Sequence, residues 1–435
     1  MSALKQDANF QWLTRGGIVS ALGDQLTIVA LPWLVLKLTG DTLALGLVIA
    51  LMSIPRAIFI LIGGALVDRY SPKRVLMLSK YANAALLALL TLLVLNLNAA
   101  PTVALSDSLS LTIALTPQLA LPLIYALALG LGLAQAFGMP SATSMMPLSI
   151  PAEHLQAANG VLMGIRQVSM LVGPLMAAGL LAIAGNGGDV VSDARGLALA
   201  FGFDCFSYLF SAWTLAKVRP LNAPPAADGL SVLRAVGEGL RMVWNDVPMR
   251  LCFIYWGIVS LFIGGTMQVA IPVLARDLHG ASTLGVLMGA HGAGTLLGMG
   301  VAARFGARLR FAGFGTMLLL IDAVAGVLVA PLGYVHVAWQ ACLLMLALGL
   351  LGGYMQINVF TWIQRRIPPQ MMGRAMSIFM FIFMGLAPLS AAAAGWILTQ
   401  IPLSQMFVGG GIILVLFAAL AYVLTPIRSI TVNAT

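Results

Sequence analysis

The chain has 435 residues, of which 60% are hydrophobic and only 9% charged. A soluble domain carries about 25% charged residues, so a soluble enzyme or regulator is excluded and most of the chain is expected to be solvated by lipid. The net charge of +9 does not indicate nucleic acid, because the basic residues lie where membrane orientation requires them.

Twelve apolar runs follow one another, each long enough for a bilayer span of roughly 20 residues. They cover 12–37, 43–67, 75–97, 119–148, 157–185, 196–217, 250–275, 281–304, 310–333, 336–364, 373–399 and 403–425. The start, "MSALKQDANFQWLTR", is polar and the run after it is too long for a signal peptide, so no cleavable signal is expected. The stretch 101–117, "PTVALSDSLSLTIALTP", is too short and too rich in Ser and Thr to span, and is read as a loop. Cys205, Cys252 and Cys342 all fall inside apolar runs and imply no disulfide framework. The four histidines, His154, His279, His291 and His336, have no metal-binding spacing.

Loop charges test the count, because cytoplasmic loops are rich in Lys and Arg. One set of connections holds 17 basic residues, from Lys5 and Arg15 through Arg69, Lys73 and Arg74 to Arg428; the alternate set holds only Lys37, Arg195 and Arg276. That alternation fits twelve spans with both termini cytoplasmic. The connection 218–249 starts as a Pro/Ala linker, and from Leu230 its apolar residues return at helical spacing, as Leu233, Val236, Leu240 and Val243. This predicts an amphipathic helix on the cytoplasmic surface, separating an N-terminal bundle (1–217) from a C-terminal one (250–435).

The two halves are related. Residues 17–40 align without gaps on 257–280 with ten of 24 positions identical, including Pro32 with Pro272 and Gly40 with Gly280. "IPAEHLQAANG" (150–160) is echoed by "IPPQMMGRAMS" (367–377). The predicted fold class is therefore an all-α membrane protein of twelve transmembrane helices in two parallel six-helix repeats; this resembles the layout of the major facilitator transporters, which implies substrate near the midplane between the halves.

"GGALVDRYSPKRVL" (63–76) ends the second run. Gly64 and Asp68 are four apart on one helix face. Asp68 stands at its helix's C-terminal end, where the dipole disfavours an anion. The segment resembles motif A of the major facilitator superfamily, with Gly64, Leu66, Asp68, Arg69 and Arg74 matching and Lys73 close by. The resemblance implies a cytoplasmic latch in which Asp68 docks at the start of helix eleven, beside Gly373 and Arg374. In the second half Arg304 replaces the acid, so the latch is expected to be one-sided.

"GIRQVSMLVGPLMAAG" (164–179) resembles the antiporter motif C through Gly173 and Pro174, with Ala177 and Ala178 where paired glycines are usual. Together with "GDQLTIVALPWLVLKLTG", "FDCFSYLFSA" and "IQRRIPPQMMGRAMS" it is similar to the macrolide-efflux and enterobactin-exporter branch. That likeness implies proton-coupled export of a bulky amphipathic molecule, of drug or siderophore type, across a bacterial inner membrane. A siderophore-dedicated or lysophospholipid transporter is the alternative. The chain shows no nucleophile motif, His cluster or nucleotide-binding loop, so enzyme and receptor readings are set aside and ATP is not the expected energy source.

Charges at span centres cost roughly 2.5–3.5 kcal/mol on insertion scales and face a cavity or a partner. Five are read as such: Asp24, Arg56, Arg166, Asp204 and Asp322. Asp24 and Arg56 lie at similar depth on consecutive runs, and Gly264 takes the place of Asp24 in the second half, so the fold does not require an acid there. Asp24 is assigned as proton acceptor with Arg56 as its tuning cation; a static ion pair is the competing reading. Arg166 is a candidate for an anionic substrate group. Asp204 is read as structural, and Asp322 and His291 as structural or auxiliary to coupling. The helices that line the cavity in this fold offer Gln25, Gln135, Gln268, Tyr354, Gln356, Asn358 and Trp362, with His291, Met145, Met146 and Met355. No cofactor or metal is expected. Expected partners are a small-molecule substrate, protons and the lipid bilayer, with no nucleic acid, and the chain is expected to act as a monomer.

Overall fold

The computed structural model describes residues 4, 6–69, 71–97, 102–106, 109–112, 117–184, 190–221, 232–278, 280–305, 313–367 and 372–431. Asp7 opens the first helix, α1 (Ala8–Thr39), by accepting the Phe10 amide at 2.8 Å. Gly40 closes it at φ 64, a left-handed conformation that glycine adopts without steric cost. Gly280, its partner in the sequence repeat, stands at φ 94 after the corresponding helix, and these are the only positive-φ residues among those described. The repeat therefore extends to backbone conformation.

Two compact units divide the chain at Ala227/Asp228, inside the expected linker. The first holds α1, α2 (Thr42–Arg69), α3 (Pro72–Asn96), α4 (Pro117–Ser149), α5 (Leu155–Ala184) and α6 (Val190–Lys217). In it α1 packs on α5 and α6, α2 on α4, and α3 on α4 and α6. The Asn9 side-chain amide donates to the Ser149 carbonyl at 3.0 Å and the Arg219 carbonyl at 2.8 Å, and its oxygen accepts the Arg219 amide at 2.9 Å. The start of α1 and the ends of α4 and α6 thus converge at one end of the unit, as alternating spans require.

The second unit begins with α7 (Val232–Asn245), the amphipathic helix, then α8 (Val247–Val259). Asp246 caps α8 by accepting the Met249 amide at 3.0 Å and also receives Arg366 at 2.7 Å. A π-helical segment, Ser260–Gly264, joins α8 to α9 (Gly265–Leu278). There follow α10 (Ala281–Phe305), α11 (Phe314–Val329), α12 (Ala338–Arg366), α13 (Met372–Phe381), α14 (Ala387–Ile397) and α15 (Leu403–Leu424). A second π-helical segment, Ile382–Leu386, joins α13 to α14. The two π segments face each other, with the Ser260 hydroxyl donating to the Ile382 carbonyl at 3.0 Å. Gly294 and Gly298 of α10 interleave with Gly349 and Gly353 of α12; a Cβ on any of them would overlap the facing backbone. Such small-residue spacing lets helices approach where lipid removes the hydrophobic drive for association.

Among the described residues, eleven helices are long and apolar enough to cross a membrane. Among the described residues, each expected run falls mainly on helix. The eleventh run is helical throughout 372–397, and its π segment divides it into the shorter pieces α13 and α14. One expectation is corrected. Residues 101–117 are not simply a loop, because Thr102–Ser106 (β1) and Leu109–Thr112 (β2) pair antiparallel, with Val103 opposite Leu111 and Ala104 opposite Ser110. Backbone pairing satisfies a segment with too few apolar residues to span, and its Thr, Val and Leu content suits a ribbon.

Candidate functional site

The site forms where α1 and α6 approach most closely. On α1 the buried residues Gly16, Ser20, Gly23 and Thr27 fall on one helix face, and on α6 so do Asp204, Ser207, Ser211 and Thr214. A Cβ on Gly16 would overlap the Thr214 hydroxyl, and one on Gly23 would overlap Asp204 Oδ1 and Ser207 Oγ. The missing side chains therefore bring Asp24 and Thr27 onto Tyr208 and Asp204. The Tyr208 hydroxyl donates to Asp24 Oδ1 at 2.6 Å. The Thr27 hydroxyl donates to Asp204 Oδ2, and Ser207 Oγ donates to Asp204 Oδ1 at 2.9 Å. Asp204 is 0% exposed and Tyr208 is buried.

Lys80 of α3, Arg56 of α2 and Arg166 of α5 all act on Asp24 electrostatically. The Lys80 ammonium lies 5.6 Å from the centre of the Tyr208 ring, a cation–π distance. Asp24 and Arg56 make separate contacts, Asp24 with Tyr208 and Arg56 with Gln135, rather than the static ion pair of the competing reading. Arg56 donates through Nη2 to Gln135 Oε1 of α4, while its buried Nε has no partner. No salt bridge joins Arg56 to Asp24, because each is held by a neutral partner on another helix. Arg166 is exposed.

The antiporter-like glycine belongs to the same place. A Cβ on Gly173 would overlap Gln25 Cβ and lie 2.9 Å from its Cγ. Gly173 thus lets α5 close onto α1 one residue from Asp24, and Gln25 is half-buried in that contact. Pro174 is buried in α5 beside it.

The other predicted residues are dispersed. Asp322 is buried in α11 and accepts Tyr255 at 2.8 Å. His291 is half-buried in α10, and its buried Nδ1 has no hydrogen-bond partner among the described residues. Trp362 is a core residue of the second unit, 1% exposed and stacked on Phe314 at 4.7 Å. Asn358 donates to the Tyr354 carbonyl of its own helix at 2.8 Å, and Tyr354 is buried. Gln268 and Gln356 are exposed, Met355 is half-buried, and Met145 and Met146 are core residues. Lys73 closes the end of α6, where its ammonium donates to the Ala216 carbonyl at 3.1 Å and the Val218 carbonyl at 2.7 Å. Arg74 is exposed. Gly64, Asp68 and Arg69 stand in the last turns of α2 and Arg374 in the first turn of α13; their side chains lie outside the described residues.

Sequence reasoning passes over Lys80 and Tyr208. Lys80 follows closely on the loop cations Lys73 and Arg74, and so resembles a snorkelling end residue. The distribution of charge contains the missing signal. Of 23 Lys and Arg residues, 17 and three fall in the two sets of connections, which leaves Lys80 together with Arg56 and Arg166 inside spans. Tyr208 is one turn beyond Asp204, and only the α1–α6 packing shows that it reaches Asp24.

Long apolar helices that enclose a cluster of ionisable side chains are the build of a helical membrane transporter. The chain belongs to the Major Facilitator Superfamily, whose family model matches residues 13–392. It is 24% identical over 423 residues to the multidrug efflux pump Tap of Mycolicibacterium fortuitum, covering 95% of each chain. It is 23% identical over 376 residues to the enterobactin exporter EntS of Citrobacter koseri, covering 86% of this chain and 81% of that exporter. The crystal structure of a D-xylose–proton symporter shares the fold, with a TM-score of 0.72 at 14% identity over 98% of this chain and 99% of that one. The protein is a transporter, not an enzyme.

Proposed function

We propose that the protein exports an amphipathic small molecule, of drug or siderophore type, in exchange for protons by alternating access. In this reading twelve helices cross a bacterial inner membrane and both termini are cytoplasmic. The observation that carries the coupling assignment is Asp24. It is a carboxylate inside the first span, held by the Tyr208 hydroxyl at 2.6 Å and within the electrostatic reach of Lys80, Arg56 and Arg166. A carboxyl group in such a place exchanges a proton and, in doing so, changes how strongly it draws the cations of neighbouring helices. Protonation therefore biases one conformation over another by the difference in that attraction. The Gly173–Gln25 contact supports export, since it builds the antiporter-like motif into the wall of the same site. The similarity to exporters named for a siderophore and for multiple drugs supports the substrate class.

The test is proton flux in proteoliposomes given a pH gradient and candidate amphipathic compounds. Asp24→Asn should abolish pH-driven export and retain exchange of bound substrate. Undiminished pH-driven export by that variant would reject Asp24 as the coupling residue.

A further inference from the structure

The second unit holds an acid that the coupling assignment leaves unused. Gly264 takes the place of Asp24 in the sequence repeat, so the second half has no acid at that position. It has one on another helix instead. Asp322 is the only charged residue of α11, and it is buried. The Tyr255 hydroxyl of α8 donates to its Oδ2 at 2.8 Å. Its Oδ1 has no hydrogen-bond partner among the described residues, and the residue keeps 9% of its surface exposed. Asp24 is built the same way, with Tyr208 on Oδ1 at 2.6 Å and no partner on Oδ2 among the described residues. Asp204 differs, because each of its oxygens contacts a hydroxyl and none of its surface is exposed. No salt bridge reaches Asp322 among the described residues. The helix packed along α11, α15, has no charged residue. On α8 and α12 the basic residues stand at helix ends: Arg250 donates to the Trp244 carbonyl at 3.0 Å, Arg366 to Asp246 at 2.7 Å, and Arg365 is exposed. Arg428, beyond α15, lies over the Tyr422 ring. The other titratable side chains of these helices are thiols and phenols, Cys252, Cys342, Tyr354 and Tyr422.

We propose that Asp322 is a second proton-binding site, taking its proton on Oδ1, with Tyr255 as the positioning residue on Oδ2. An ionised carboxylate inside a span is costly unless it is paired, and one phenol bond offsets only part of that cost. A proton on Oδ1 removes the charge and leaves the Tyr255 bond in place. With no cation bonded to the carboxylate, the proton is the partner that can neutralise it. The exchange then has one proton site in each unit: Asp24 beside α6 in the first, and Asp322 beside α8 in the second. The two sites share a design, a carboxyl with one oxygen on a tyrosine of another helix and the other oxygen open to a proton. They do not share a repeat position, so the second is not implied by the first.

This inference deepens the proton-exchange reading and rests on it, but its test does not pass through Asp24. The full-length protein carrying Asp24→Asn, in lipid nanodiscs, would be titrated by infrared difference spectroscopy of the protonated-carboxyl band. One component of that band should titrate with pH and be absent once Asp322→Asn is added. Tyr255→Phe removes the one donor to the charged form, so the midpoint of that component should move to higher pH by roughly one to two units. A tyrosine that only packs against α11 would leave the midpoint in place. An Asp322 component that does not titrate, or a midpoint unmoved by Tyr255→Phe, overturns the second site. If Asp322→Asn does not fold, Tyr255→Phe decides alone, and a carboxyl band unchanged by it overturns the proposal. Retained pH-driven export in Asp24→Asn would instead overturn the Asp24 reading, while the Asp322 component, measured in that same background, still stands or falls by its own titration.

Discussion

Gly23→Ala is a small change with a large expected cost. A methyl group at this position would overlap Asp204 Oδ1 and Ser207 Oγ and come within 2.9 Å of Ser207 Cβ. A side-chain oxygen can rotate away, but a Cβ moves only with its helix, so α1 and α6 must separate by several tenths of an ångström. Overpacking of this kind costs about 1–3 kcal/mol. Separation also weakens the Thr27 and Ser207 bonds to the buried Asp204, and a hydrogen bond to a charged group is worth about 1.5–3 kcal/mol. The gain in helix propensity from Gly to Ala, roughly 0.8–1 kcal/mol, offsets only part of this. The net loss is about 2–4 kcal/mol, or at least a tenfold fall in the ratio of intact to unfolded protein. Gly17→Ala is the control, because its Cβ would meet only Leu162 Cδ2 at 3.8 Å, an ordinary contact. Thermal unfolding of the purified protein in one detergent would compare the two, with Asp24-dependent transport as the second readout. Equal stability of Gly23→Ala and Gly17→Ala would refute the claim that this glycine holds the site together.

Tyr208→Phe keeps the ring under Lys80 and removes the hydroxyl that Asp24 accepts at 2.6 Å. A bond worth about 1.5–3 kcal/mol to the charged form corresponds to roughly one to two pH units. The pH midpoint of transport should move alkaline by that amount, and an unchanged profile would count against the Tyr208–Asp24 contact. Gly173→Ala should sharply reduce transport by forcing α5 off Gln25, whereas Gly179→Ala, which would meet nothing within 4 Å, should be tolerated. Initial export rates would separate them. Lys73→Met removes the ammonium from the Ala216 and Val218 carbonyls, costing about 0.3–1 kcal/mol at a helix C-terminus. Its expected signature is a lower melting temperature with the transport pH midpoint in place, and a moved midpoint would show that Lys73 serves the coupling site instead.

The order of the helices is legible in the sequence because lipid demands it. A span must be long, apolar and internally hydrogen-bonded, and basic residues must alternate between connections. Those constraints act locally, so the runs can be read one at a time. Gly40 and Gly280 show the same legibility: the repeat pairs them, and both adopt the left-handed backbone that closes a helix. Asp24 is legible as well, since a carboxylate in a span has few explanations. The residues around it are not. In a soluble helix, polarity marks the outward face; here both the lipid-facing and the helix-facing surfaces are apolar, and side-chain direction leaves almost no trace. Trp362 therefore looks like a cavity residue and stands instead in the core of the second unit, stacked on Phe314.

By itself the sequence determined the membrane class, the run of long apolar helices and the presence of an acid inside the first of them. Tertiary structure decided which groups share that acid's surroundings. Tyr208 lies 184 residues from Asp24 and reaches it only because Gly16 and Gly23 let α1 sink into α6. Lys80 reaches the same place because α3 packs on α6. The physical reason is one of range: hydropathy acts on each segment against its solvent, whereas the electrostatics of a desolvated carboxylate depend on neighbours a few ångströms away from helices distant in sequence.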